Sequence, residues 1–302
     1  MKEKLIRYAD KLHLPPGKTI VITGGNSGIG FSVAKHLIRY GYRVILAVRN
    51  RSRGEKAKEE LLLEKPDAHI EVWDLELSNL ESIRAFVNRI QKEHLDIDCF
   101  YSNAGVYRIP FALGELDIEM TLLTNYVSNL YLYLLLKEYL LQLGHPVKFI
   151  LTSSMVARFA HMDVSDFDGH DYQKMKFYKK SKVAVNQLYR FMVEDSKGTS
   201  LLPLLVHPGS TYTPLIAKAY PNRALMITAQ RFMRVFFHSP DKAALCTLAL
   251  LSEEICSPTF MAPRGIFHVS GYPKKIKLYQ GNLTKYKETI AYTKDMISEY
   301  LR

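Results

Sequence analysis

Cysteine is scarce in this chain. The three present, Cys99, Cys246 and Cys256, stand far apart and form no CxxC pair. That spacing excludes a disulfide framework and a cysteine-rich metal site, and it fits a reducing compartment. Long apolar runs are missing too. The most hydrophobic stretch, residues 131–141, is interrupted by Lys137 and Glu138 and is too short to span a bilayer, so a buried helix is the better account. Residues 1–18 carry scattered charges and no apolar centre, so no signal peptide is expected. No repeat, low-complexity tract or linker interrupts the 302 residues, and one large α/β domain is expected. Nor is there a single run of lysine and arginine. The formal net charge of +11 is spread over residues 35–65, 174–182 and 274–287. Without the motifs that accompany nucleic-acid recognition, no nucleic-acid partner is expected; an anionic membrane, an anionic cofactor in a basic cleft or a solvated surface accounts for the charge. No His/Cys/Asp/Glu cluster has metal-ligand spacing, so no metal is expected.

Apolar β-branched runs alternate with helical periods. Strands are predicted at Thr19–Thr23, Arg43–Val48, His69–Trp73, Ile97–Tyr101, Val147–Ser153, Leu201–His207 and Ile266–Val269. Helices are predicted at about 28–40, 51–64, 79–93, 115–143, 178–195 and 240–253. The alternation predicts a mainly parallel sheet with helices on both faces. Two long irregular stretches, 155–177 and 211–239, follow strand C-termini, where open α/β sheets bind ligands. The second is apolar enough to serve as a substrate lid, and packed core is the other reading.

Thr19–Thr23 runs into a turn with Gly24, Gly28 and Gly30, after which Ile29, Val33, Leu37 and Ile38 form an apolar helical stripe. Glycines allow a sharp turn and let a pyrophosphate approach a helix N-terminus, where free N–H groups favour anions. At the end of the second strand an NAD enzyme usually has a carboxylate for the ribose 2′-hydroxyl. Here stands Arg49, with Arg51 and Arg53 close behind; a cation there suits the 2′-phosphate of NADP. Asp74 ends the third strand and reads either as an adenine contact or as a cap for the next helix. Ala104 and Gly105, after Asn103, leave room for a flat adenosine.

Tyr178 and Lys182 are four apart and share a helix face. A nearby ammonium favours tyrosinate, so Lys182 is expected to lower the Tyr178 pKa and fit it to move a proton to a carbonyl or from an alcohol. Ser154, at the end of the fifth strand, is placed to hold the substrate oxygen. Asn125 is a polar residue in an apolar helix and needs partners; a water bridging to Lys182 and a local structural hydrogen bond are both open. After the sixth strand, His207-Pro208-Gly209 turns the chain, and Thr211 or Thr213 is in reach of a carboxamide. His207 reads as a strand-end histidine rather than a base.

With Thr23-Gly-Gly-Asn-Ser-Gly-Ile-Gly30, Asp74, Asn103-Ala-Gly105, Asn125, Ser154, Tyr178/Lys182 and Pro208-Gly209, residues 16–270 resemble the short-chain dehydrogenase/reductase family. Val44–Asn50, the long Ser154–Tyr178 segment and a C-terminal helix at about 284–301 are similar to its retinol dehydrogenase, protochlorophyllide reductase and WW-domain oxidoreductase branch. The resemblance implies a doubly wound, three-layer Rossmann fold with a mainly parallel seven-stranded sheet, followed by a C-terminal extension at 271–302. It implies a catalytic tetrad of Asn125, Ser154, Tyr178 and Lys182. It places NADP(H) against Gly24, Asn26, Ser27, Gly28, Ile29, Gly30, Arg49, Asp74, Leu75, Asn103, Ala104, Gly105, Tyr178, Lys182, Pro208, Gly209, Thr211 and Thr213. Two departures stand out. Ser102 replaces the usual first Asn of Asn-Asn-Ala-Gly, and Asn50 stands where Asp is common. The expectation is a cytoplasmic NADP(H)-dependent oxidoreductase acting on a small carbonyl or alcohol, with homo-oligomerisation open. A non-enzymatic NADP-sensing module and an isomerase or lyase of the extended branch are the rivals.

Overall fold

In the computed structural model the described residues are 2–211 and 238–301. The predicted lid, 211–239, falls almost wholly outside them, and so does Thr213. The strands are β1 Thr19–Thr23, β2 Arg43–Val48, β3 Ile70–Asp74, β4 Cys99–Ser102, β5 Val147–Thr152, β6 Leu201–Val206, β7 Thr259–Pro263 and β8 Pro273–Ile276. They form one sheet in the order β3-β2-β1-β4-β5-β6-β7-β8. Every neighbouring pair is parallel except β7 with β8. The chain reverses its direction of growth between β1 and β4, which opens a crevice beyond their C-terminal ends.

The strands are apolar on both sides because both faces are covered. Val21, Ile45, Phe100, Phe149 and Leu205 face one core, which is closed by α4 (Leu80–Lys92), α6 (Ser128–Gln142) and α7 (Lys174–Asp195). Ile20, Ile22, Val44, Leu46 and Leu204 face the other, closed by α1 (Lys2–Asp10), α2 (Gly28–Leu37), α3 (Arg51–Glu64) and α8 (Pro240–Leu251). Alternating residues of one strand thus feed two cores, as the pleat requires. In α4 the buried Leu80, Ile83, Phe86, Val87 and Ile90 recur at helical spacing, and the Asn79 side chain accepts from Ser82 N at 2.6 Å to start the helix. Asn50 likewise caps α3 through Arg53 N, so the departure at that position has a local use. Among the described residues no helix is long and apolar enough to cross a membrane. The apolar run at 131–141 lies in α6, where Tyr131, Leu132, Tyr133, Leu136 and Leu140 are buried. Helix α9 (Tyr286–Met296) packs on the α7 side, where Tyr126 Oη meets Thr293 Oγ1 at 2.9 Å.

Two expectations are corrected. The last parallel strand is Thr259–Pro263, not Ile266–Val269, and the sheet has eight strands rather than seven. Residues 266–268 form a tight turn with Phe267 at φ +49, and Ile266 and Phe267 are 83% and 82% exposed. The apolar pair lacks the buried surroundings that make such residues a strand. Nor is 115–143 one helix. A 3₁₀ turn at Glu115–Asp117 precedes α5 (Met120–Leu122), and a π-turn, Leu123–Val127, joins α5 to α6. Asn125 sits in the middle of that π-turn, a distortion that recurs at functional sites.

Candidate active site

The cofactor end is built by β1, the following turn and α2. Gly24 has φ +65, a conformation favourable only to glycine, and its N–H bonds Ala47 O at 2.8 Å. Gly30 is fixed by crowding instead. A Cβ there would lie 2.7 Å from Asn103 Nδ2 and 2.9 Å from Gly24 O. The turn is fastened to the β4 loop by Thr23, whose Oγ1 accepts from Asn103 N at 3.0 Å and Ala104 N at 2.9 Å. Asn103 Nδ2 donates back to Thr23 O at 2.9 Å. Ser27 begins α2 without capping it, and no acidic side chain occupies its first turn. The N–H groups and positive pole of α2 therefore face the crevice uncompensated, a cradle suited to a diphosphate. Asn26, Ile29 and Gly28 border it and are partly exposed.

The far end of this cradle is charged. Arg49 follows β2, is 70% exposed on its side chain, and its Nε reaches Glu76 at 3.3 Å. Arg51 bonds Asp74 at 2.9 Å. Asp74 is not the cap of α4, since Asn79 fills that place. Leu75 is buried and its N–H is spent on Val48 O.

The chemical end lies at the C-termini of β4, β5 and β6. Ser154 follows β5, and its hydroxyl lies close enough to the Tyr178 phenol to favour the charged form. Its neighbour Ser153 points elsewhere, donating to Asn186 Oδ1 at 2.5 Å. Lys182 is buried, one turn from Tyr178 on α7; its Nζ donates to Thr152 O at 2.9 Å and lies 5.8 Å from the Tyr178 ring centre. Asn125 spends its side chain on protein: Nδ2 donates to Val106 O and Ser181 Oγ, and Oδ1 accepts from Val106 N. Its main-chain carbonyl accepts from Asn129 Nδ2 at 2.8 Å. A Cβ on Gly105 would sit 2.8 Å from Asn125 Oδ1, so the loop and the π-turn are in close contact.

The expected direction of the Tyr178 shift is reversed. Burial of the enclosed phenol pushes its pKa up to about 12; the Ser154 hydroxyl opposes this only in part. Burial also brings Lys182 down to about 8. Desolvation outweighs attraction here because Lys182 aims at the Thr152 carbonyl rather than at the phenol oxygen.

This fold and this set of residues have relatives. The profile of the family described as short chain dehydrogenase matches residues 18–224. The chain belongs to the short-chain dehydrogenase/reductase family. Retinol dehydrogenase 14 of Mus musculus is 32% identical over 261 residues, which is 80% of this chain and 74% of that protein. The WW domain-containing oxidoreductase of Homo sapiens is 30% identical over 228 residues, 71% of this chain and 54% of that one. Within the family this dehydrogenase therefore falls in the retinol dehydrogenase-like branch. A crystal structure of an uncharacterised protein from Mycobacterium Paratuberculosis superposes with a TM-score of 0.75 at 25% identity, covering 94% of this chain and 96% of that one.

Three residues of this dehydrogenase's site carried no signal in the sequence. Tyr107 meets the Tyr178 ring edge-on, with centroids 4.6 Å apart, and supports the phenol from the β4 side. Thr152 anchors Lys182. His238 packs against Gly209: a Cβ on that glycine, which has φ +86, would be 2.0 Å from His238 Nε2. Burial holds His207 and His238 neutral, at about 3 and about 4, so neither serves as a base at neutral pH. Pro208 and Gly209 lie between them, and Thr211 is buried beside His238 in a short parallel bridge. A small groove opens next to Ser154, walled by Met155, Arg158, Phe260, Lys277 and Tyr279.

Proposed function

We propose that this short-chain dehydrogenase is an NADP(H)-dependent enzyme that interconverts a carbonyl and an alcohol on an apolar substrate in the cytoplasm. The observation that carries the reading is the neighbouring Ser154 and Tyr178 standing beside a buried Lys182, across the crevice from an uncapped, acid-free helix terminus. When bound, NADP(H) supplies or takes the hydride. Gly24, Asn26, Ser27, Gly28, Ile29 and Gly30 hold the diphosphate through backbone N–H groups and close approach. Arg49 leaves its exposed pairing with Glu76 for the 2′-phosphate, an exchange that is easy because such surface pairs are worth about 0–1 kcal/mol. Asp74, Leu75, Asn103, Ala104 and Gly105 border the adenosine. Pro208, Gly209, Thr211 and Thr213 border the nicotinamide.

Ser154 holds the substrate oxygen. Tyr178 gives that oxygen its proton as it becomes an alkoxide, or takes the proton from the alcohol in the reverse direction. A phenol held near pKa 12 keeps its proton at neutral pH and is ready as an acid. Lys182 binds the nicotinamide ribose. Asn125 positions Ser181 and the Val106 loop around this group, and a relay water beside it carries the proton onward. Support for an apolar substrate comes from the sequence of 211–239, with Leu215, Ile216, Phe232, Phe236 and Phe237.

The test is NADPH oxidation across a panel of aldehydes, ketones and quinones. Tyr178→Phe keeps the ring and should reduce turnover by about two orders of magnitude or more, while NADPH still binds. Retained turnover in that variant would move the proton donor elsewhere, and wild-type binding of NADPH without turnover of any carbonyl would favour the sensing module.

A further inference from the structure

The turn between β7 and β8 is built to present two apolar side chains to solvent. Ile266 and Phe267 are the tip, 83% and 82% exposed. Phe267 has φ +49 and His268 φ +56. A bulky residue in the left-handed region is strained, and such strain persists only where its surroundings over-determine it. Here they do. Arg264 N bonds Tyr272 O, Gly265 N bonds Ser270 O, and His268 N and Val269 N close the turn on Gly265 O and Ile266 O. The His268 ring nitrogen lies 2.6 Å from Pro263 O. The result is a rigid prong rather than a collapsed loop.

The segment that carries the prong has one sign of charge. From Ile255 to Lys287 the sequence contains no Asp or Glu, while Arg264, Lys274, Lys275, Lys277, Lys285 and Lys287 all fall within it. Arg264 stands at the base of the prong, and Lys274 and Lys275 begin β8 beside it; all three are exposed. No salt bridge to Arg264, Lys274 or Lys275 occurs among the described residues. Lysines on an edge strand also guard against edge-to-edge pairing. That role accounts for the charge but not for a strained, exposed Phe next to an exposed Ile.

We propose that the Ile266–Phe267 prong and the Arg264/Lys274/Lys275 surface dock this protein peripherally on an anionic lipid bilayer. Apolar side chains entering the headgroup boundary and cations attracted by the lipid charge are the two components of interfacial binding. A second copy of the chain is disfavoured as occupant, because a two-fold contact would bring two acid-free 255–287 segments together. A nucleic acid would use the lysines but leave the Ile–Phe tip without a partner. The prong is also joined to the site: Val269 O accepts from Ser210 N at 2.9 Å, directly after Pro208-Gly209. Docking would hold the nicotinamide end of the crevice against the membrane surface.

The experiment is co-sedimentation of the purified full chain with vesicles of phosphatidylcholine alone and with about one third phosphatidylserine. Binding should require the anionic lipid and weaken in high salt. Ile266→Ser with Phe267→Ser should reduce the vesicle partition coefficient about tenfold or more. Lys274→Glu should reduce it more than the roughly fivefold expected for loss of one basic residue. Phe267→Gly removes the tip residue while relieving its backbone strain; it should keep or raise the thermal midpoint and still lose vesicle binding, which separates docking from folding. No sedimentation with anionic vesicles, or binding unchanged by loss of the tip, overturns the proposal. So does tighter binding to a labelled DNA duplex than to the vesicles.

Discussion

Replacing Lys182 by Met should make the protein harder to unfold at neutral pH while it loses turnover. Lys182 is 6% exposed and carries its charge into the interior, where its ordinary pKa of 10.5 falls to about 8. That shift corresponds to a penalty of about 3 kcal/mol for holding the ammonium in the folded state. Below about pH 8 the lysine is protonated both folded and unfolded, and the whole penalty is present. Between pH 8 and 10.5 the unfolded chain binds more protons than the folded one, so wild-type stability rises with pH. Above 10.5 the penalty is gone. Met fills a similar volume but cannot donate to Thr152 O, a loss of about 1 kcal/mol. Lys182→Met should therefore be about 2 kcal/mol more stable than wild type at pH 7, and this advantage should shrink to near zero by pH 10. Urea unfolding of both proteins at the two pH values gives the comparison, and other titrating groups cancel in the difference. A pH-independent difference, or a variant less stable at pH 7, would refute the reasoning that desolvation governs this residue. The expected result would mark Lys182 as a residue kept for chemistry at the expense of stability.

Arg49→Ala should remove most of a preference for NADPH over NADH of at least about tenfold, or about 1.4 kcal/mol, measured by fluorescence titration of both cofactors; equal wild-type affinities would count against a phosphate-binding role. Gly30→Ala drives a Cβ against Asn103 Nδ2 at 2.7 Å and against Gly24 O at 2.9 Å. Backbone does not yield cheaply, so calorimetry should show a loss of about 1–3 kcal/mol, and cofactor affinity should fall with it.

Much of this fold was legible because its signals are local. β1, β2, β5 and β6 are short, nearly continuous apolar runs feeding two cores, the mark of strands covered on both faces. The glycine turn and the Tyr178/Lys182 spacing are short patterns too, weak alone and specific in combination. β7 is hard to read because Thr259–Pro263 is a short run bounded by Pro258 and Pro263, whereas Ile266-Phe267-His268-Val269 mimics a strand although Ile266 and Phe267 are exposed. β8, Pro-Lys-Lys-Ile, reads as a loop until its pairing with β7 is known. The pKa directions were illegible for a related reason. The sequence places Lys182 one turn from Tyr178 but does not reveal that its Nζ turns to the Thr152 carbonyl. Asp74 was readable as a cap, yet Arg51 takes its carboxylate and Asn79 takes the cap.

The fastening of Thr23 has a consequence for the order in which the molecule can be made. Its hydroxyl closes on backbone groups of Asn103 and Ala104, 80 and 81 positions further along the chain. As the polypeptide leaves the ribosome, β1 and the head of α2 emerge first and can pair with β2 and β3. The crevice between β1 and β4 does not exist until β4 and its loop have also emerged. Ligand present during synthesis therefore has nothing to grip over that interval, and the glycine turn waits with its amides exposed. Domains generally fold as units during synthesis, and long-range pairing of parallel strands is slow. Nucleotide capture is for that reason a late event in the birth of this protein, a reward for closing the sheet rather than a template for it.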